Sequence, residues 1–150
     1  MPEDRDALLH HYAEMRADFQ SAIAGLTPEQ MSEPSIDGWS VKDHMLHIAT
    51  WDDVRASEVE RISAGHDSTW RMSEAEDDVY NNMSYELRKE LSHEQAVYEY
   101  DQSRARLLTA IQKATERGLD AGHYGEAGLV SDHETEHAGW IRNWRTRLGL

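Results

Sequence analysis

Apolar residues recur three or four positions apart through most of the chain, the period of helices that each turn one face to a core. Leu8, Tyr12, Met15, Phe19 and Ile23 mark a first helix from about Asp4 to Gly25, with a charged opposite face. Thr27-Pro28-Glu29-Gln30 joins an N-cap, a proline at the first helical position and a capping-box Gln, predicting a short helical turn that Pro34 and Asp37-Gly38 end in a loop. Ser40 and Asp43 can cap one another at the start of a second long helix, whose stripe is Val41, Met45, Ile48, Trp51, Val54, Val59 and Ile62, with Gly65 as its stop. After a loop from His66 to Met72, Ser73 and Glu76 open a shorter helix to about Lys89, with Val79, Tyr80, Met83 and Leu87 as its buried side. Ser92-His93-Glu94-Gln95 reads as a third capping box, starting a helix of about 25 residues that carries Val97, Tyr100, Leu107, Leu108 and Ile111 and ends at Gly118. The stretch from Leu119 to Val130, with Gly122, Gly125 and Gly128, predicts an irregular connection. Ser131 or Asp132 then caps a last helix with His133, His137, Ile141, Trp144 and Leu148 along one face. No two-residue alternation, Asn-Gly hairpin or fixed-period repeat interrupts this pattern. It predicts an all-α fold of four long helices with short extra turns.

The last helix carries the candidate chemistry. His133 and His137 are four apart, so both imidazoles lie on one face and can reach one metal ion. His133-Glu134-Thr135-Glu136-His137 also reads as H-E-x-x-H, which in zinc proteases supplies two ligands and a general-base Glu. The thirteen residues after His137 contain no His, Cys, Asp or Glu, and no edge strand is predicted on which a peptide could lie. A protease is therefore disfavoured, and a further ligand must come from upstream. His47, beside the apolar stripe of the second helix, is the best candidate, with His44 its main rival. A metal in the interior of a helix bundle, held by side chains from facing helices, satisfies these constraints. Three unrelated helical histidines, or a closed structural clip that adds His44 or a carboxylate, are the competing readings.

Composition narrows the field. A chain of 150 residues fits a single domain, 1–150, with one core. Fifteen basic against 29 acidic residues give a formal charge of -14, which repels a phosphate backbone and makes nucleic acid an unfavourable partner. The absence of cysteine excludes thiolate ligands, disulfides and a cysteine nucleophile. No leader pattern or stretch of ~20 apolar residues occurs, so a cytoplasmic protein without a membrane partner is expected.

Trp39-Ser40-Val41-Lys42-Asp43-His44-Met45-Leu46-His47-Ile48-Ala49-Thr50-Trp51, followed by His133-x-x-x-His137, resembles the DinB/YfiT-like superfamily. The middle stretch, Val79 to Asn82 and Ser92 to Leu108, is similar to the branch that includes mycothiol-dependent maleylpyruvate isomerase-like and ClbS-like proteins. The resemblance implies a four-helix bundle of up-down-down-up type, with a divalent metal, commonly zinc or nickel, held by His47, His133 and His137. It further implies a metal-dependent enzyme, a thiol-dependent S-transferase or isomerase or else a hydrolase, acting on a small molecule. A low-molecular-weight thiol would be the cosubstrate, and homodimers are common among relatives. The alternative is a non-catalytic protein of stress or self-resistance that sequesters a small molecule or toxin in the bundle. Trp39, Trp51, Tyr80, Asn81 and Tyr85 are the expected substrate-pocket residues. Glu134 is a candidate proton acceptor, although an exposed carboxylate in a first helical turn also suits the helix dipole.

Overall fold

A computed structural model describes residues 1–150. It contains α1 (Arg5–Ile23), α2 (Pro28–Ser32), α3 (Val41–Ser63), α4 (Glu74–Arg88), α5 (His93–Lys113) and α6 (His133–Leu148), with a 3-10 turn at Ala121–His123 and no strand. The predicted caps at Thr27, Ser40 and Ser73 are complete boxes, each side-chain oxygen accepting from the third residue's N–H while that residue's side chain accepts from the cap N–H. Ser92 makes only half of its predicted box: its hydroxyl accepts from the Gln95 N–H. α5 ends at Lys113 rather than at Gly118, because Ala114 leaves helical geometry with ψ 140°.

Contacts along the helices give their directions. Tyr12 meets Leu129, Arg16 meets Glu134 and Arg142 meets Asp18, so α1 and α6 run parallel. Lys42 reaches the carbonyls of Lys89 and Leu91, Asp52 pairs with Arg104, and Ser63 bonds Thr115, so α3 and α5 also run parallel. Leu8, Tyr12 and Met15 share a cluster with Ala56, Val59 and Ile62, whereas Phe19 shares one with Met45 and Ile48, which sets α1 against α3 in the opposite direction. The four long helices form an up-down-down-up bundle, and the crossover that parallel α3 and α5 require contains α4.

Two apolar clusters fill the bundle. One gathers α1, α3 and α5 residues with Leu119, Tyr124 and Leu129 of the irregular connection; the other holds Phe19, Val41, Met45, Ile48, Tyr100, Ile141 and Trp144. The stripe predicted for α3 is buried throughout. A charged layer lies between the clusters. Glu134, 1% exposed, accepts from Arg16 Nε at 2.8 Å and the Tyr100 hydroxyl at 2.7 Å, and pairs with Arg104 at 3.1 Å. Arg104 also bonds Asp52 at 3.0 Å and the Tyr12 carbonyl, and Arg16 and Arg55 approach the same aspartate.

Two predicted faces are corrected. On α4, Val79, Met83 and Leu87 are exposed by 63%, 59% and 73%, and the inward side carries Tyr80, Asn81, Ser84 and Tyr85. The neighbouring surface explains the reversal: Asn81 bonds Trp51, Tyr80 packs on Trp51 and Trp70, and Tyr85 stacks on Trp39, so α4 covers a polar and aromatic wall rather than an aliphatic one. On α6, Ile141 and Trp144 are buried while Leu148 is exposed, since Leu148 occupies the final turn, beyond the core.

The layer yields a stability test. Arg104→Met leaves two buried carboxylates short of a cation, and the expected loss is about 3–5 kcal/mol in urea unfolding at neutral pH. Leu87→Lys, on the exposed side of α4, should change stability by less than about 0.5 kcal/mol. A loss at Leu87 comparable to that at Arg104 would contradict both assignments.

Candidate metal centre

α3 and α6 run antiparallel, and their facing turns bring three imidazoles together. His47 Nε2 lies 2.9 Å from His133 Nε2, which lies 3.0 Å from His137 Nε2. One ligand atom from each of the three residues falls within 4.8 Å of the others. Two nitrogens bound at ~2.1 Å to one ion would stand roughly 3.0–3.4 Å apart, so these spacings are close to those of a shared ion. Hydrogen bonding alone does not satisfy the group. A neutral imidazole has one N–H, and His133 Nε2 can donate to only one of the two nitrogens that face it. Three convergent lone-pair nitrogens are a donor set for a cation, and these residues fit a divalent metal.

His44 and His137 are buried and His47 and His133 half-buried, and this burial disfavours the charged imidazoles. Burial, with a smaller contribution from His44, holds His47 down at about 4, and burial holds His44 at about 4. His133 is pushed to about 3 by burial, then by His47, Arg55 and His44, and His137 is lowered by burial and by the other three rings. At neutral pH the imidazoles are unprotonated, the form that binds metal.

The three histidines open on a cleft of about 1000 Å³, whose wall also includes Asp37, Trp39, Asp78, Asn81, Glu136 and Trp140. Of the five predicted pocket residues, Trp39 and Asn81 line it. Trp51 and Tyr80 form an aromatic cluster with Trp70 behind the wall, where the Trp51 Nε1–H donates to Asn81 Oδ1 at 2.8 Å. Tyr85 stacks behind Trp39, with ring planes 1° apart. His44 lies beside the three-histidine group and contacts His137. Glu134 is absent from the cleft: its carboxylate is turned into the charged layer, because one residue along a helix is a rotation of about 100°. Glu136 is the carboxylate of α6 that lines the cleft. Trp140, Asn143 and Arg147 were not anticipated; they continue the His133–His137 face at helical spacing, which is the signal that would have found them.

The model of the DinB superfamily matches residues 11–141. The chain belongs to the DinB superfamily. No curated protein matches it. Among solved structures, the chain is similar to an uncharacterised protein from Escherichia coli UTI89, with 18% identity, a TM-score of 0.77 and coverage of 100% of this chain and 97% of that one. At that identity the likeness is one of fold. Membership of the superfamily and the three-histidine cluster together fit a metal-binding protein. No helix is long and apolar enough to cross a membrane.

The depressed histidines predict a pH dependence for the metal-free protein. Their unfolded values lie near 6.5, so below that pH the unfolded chain takes up protons that the native cluster refuses until about 4. The associated stability is intact above ~6.5 and is lost as pH falls toward 4, by roughly 1.4 kcal/mol per pH unit for each such group. Urea midpoints of metal-free protein should drop between pH 7 and pH 5, and the drop should flatten in a His47→Asn/His133→Asn double variant. A wild-type midpoint that is level or rises on acidification would contradict the burial of neutral rings.

Proposed function

We propose that this protein is a metal-dependent enzyme acting on a small molecule, a thiol-dependent S-transferase or isomerase or a hydrolase, with His47, His133 and His137 holding one zinc or nickel ion. The observation that carries this reading is the convergence of three uncharged imidazoles, His137 buried and His47 and His133 half-buried, from two helices on an open cleft. Held by these three imidazoles, such an ion would lower the pKa of water or of a thiol toward neutrality and so would supply a nucleophile. The chain has no cysteine, so a thiol nucleophile has to enter as a cosubstrate.

The chain's own groups divide the remaining work. Trp39 packs against His47 with ring centroids 5.2 Å apart, and Trp140 against His137 at 4.6 Å, so aromatic surface flanks the cluster. Trp140 is 48% exposed and offers its face to a substrate. Trp51 engages Asn81 Oδ1, which leaves the Asn81 amide N–H groups for an acceptor in the cleft. Glu136, which shares α6 with His133 and His137 and lines the cleft, is the α6 carboxylate free to take up a proton at its Oε atoms, whereas Glu134 is committed to Arg16, Arg104 and Tyr100.

Elemental analysis of protein purified without a histidine tag tests the reading, with His47→Ala and His133→Ala alongside. The expected result is about one metal per chain in wild type, lost in both variants with helicity retained, and turnover in thiol-transfer or hydrolysis screens that chelation abolishes and metal restores. Full metal content in His133→Ala would overturn the ligand assignment. Tight binding of a small molecule by metal-free protein, without turnover, would favour sequestration instead.

A further inference from the structure

Beside the three candidate ligands lies a buried imidazole that neither the fold nor the proposed chemistry has yet used. His44 sits one turn before His47 on α3 and is 4% exposed. Its Nδ1 is 2.6 Å from His137 Nδ1, and its Nε2 is buried without a hydrogen-bond partner. Around it stand Trp39 and Trp140, with ring centroids at 5.3 and 6.3 Å. An aliphatic residue would occupy such a place without leaving a polar atom unpaired, and an unpaired buried nitrogen destabilises a fold.

The orientation of His137 explains the histidine. His137 presents Nε2 to His133, and therefore to the point the three rings share, so Nδ1 is its outer nitrogen. A neutral imidazole that ligates through Nε2 carries its proton on Nδ1. His44 Nδ1 stands at hydrogen-bonding distance to accept that proton's bond, and His44 then carries its own proton on Nε2. Metal-bound histidines are regularly oriented by such an acceptor on the far nitrogen, and its loss weakens metal binding by about 10–100-fold.

We infer that His44 is a positioning residue: by accepting a hydrogen bond from His137 Nδ1 it fixes the tautomer and ring rotation that turn His137 Nε2 to the metal. This rests on the metal-dependent reading above. In that arrangement His44 is not a ligand, and the rival assignment of His44 in place of His47 is set aside.

Zinc affinity, measured by competition with a chromophoric chelator, tests the inference in wild type, His44→Leu and His44→Asn, together with melting of each metal-free protein. His44→Leu should melt at or above wild type yet bind zinc about 10–100-fold more weakly, and His44→Asn, whose Oδ1 can take the place of Nδ1, should recover most of the affinity. Affinity of a folded His44→Leu within about twofold of wild type would overturn the inference. So would a loss as complete as that of His47→Ala, which would make His44 a ligand. If His44→Leu does not fold, long-range proton–nitrogen NMR of the histidine rings in zinc-loaded wild type decides: His137 should be protonated at Nδ1 and metal-shifted at Nε2, with His44 carrying no metal shift. A metal-shifted His44 or a His137 bound through Nδ1 would refute it. Wild-type protein that takes up no zinc or nickel would instead remove the metal reading itself, and this inference with it.

Discussion

Glu134 is held by two arginines and a tyrosine in the middle of the bundle, and that grip sets the rotation of α6 on which the site depends. With about 100° per residue, a helix that points Glu134 into the charged layer carries His133 about 100° and His137 about 60° round to the same side. That side faces α3, where His47 and His44 wait. Taking this carboxylate out of water is costly, and its partners repay the cost only in one geometry. A different rotation would bury Glu134 unpaired. The charged layer therefore acts as a register pin between the two apolar clusters.

The bundle topology supplies the second constraint. Because α1 runs with α6 and α3 with α5, α6 meets α3 antiparallel, and turns distant in sequence are brought face to face. α4, in the crossover, closes one side of the cleft with Asp78, Asn81 and Asn82. The cleft wall carries the carboxylates of Asp37, Asp78 and Glu136 against the single guanidinium of Arg147, in a chain of formal charge -14, so the approach is net acidic.

Much of this was legible in the residues, for local reasons. Caps at Thr27, Ser40 and Ser73 act within one helical turn, and an i, i+4 histidine pair is a statement about one helix. His47 was found because it borders an apolar stripe that had to be buried. What escaped was everything that depends on the neighbour of a face. The Val79–Met83–Leu87 stripe looked like a buried side, but α4 lies over Trp39, Trp51 and the polar wall, and turns Tyr80, Asn81 and Tyr85 inward. Glu134 looked catalytic by adjacency to two histidines, since nothing in its own helix announces Arg16 and Arg104 from two others. Trp51 and Tyr80 are near the cleft yet behind it, a distinction of a few ångströms that periodicity does not resolve.

The central claim, that His47, His133 and His137 converge on one ion between two helices, is tested most directly by X-ray absorption at the metal edge of zinc- or nickel-loaded protein. The account predicts three imidazole nitrogens at ~2.0–2.1 Å with the outer-ring scattering that imidazole produces, the remaining positions filled by oxygen. A shell of oxygen donors with one imidazole or none would contradict it.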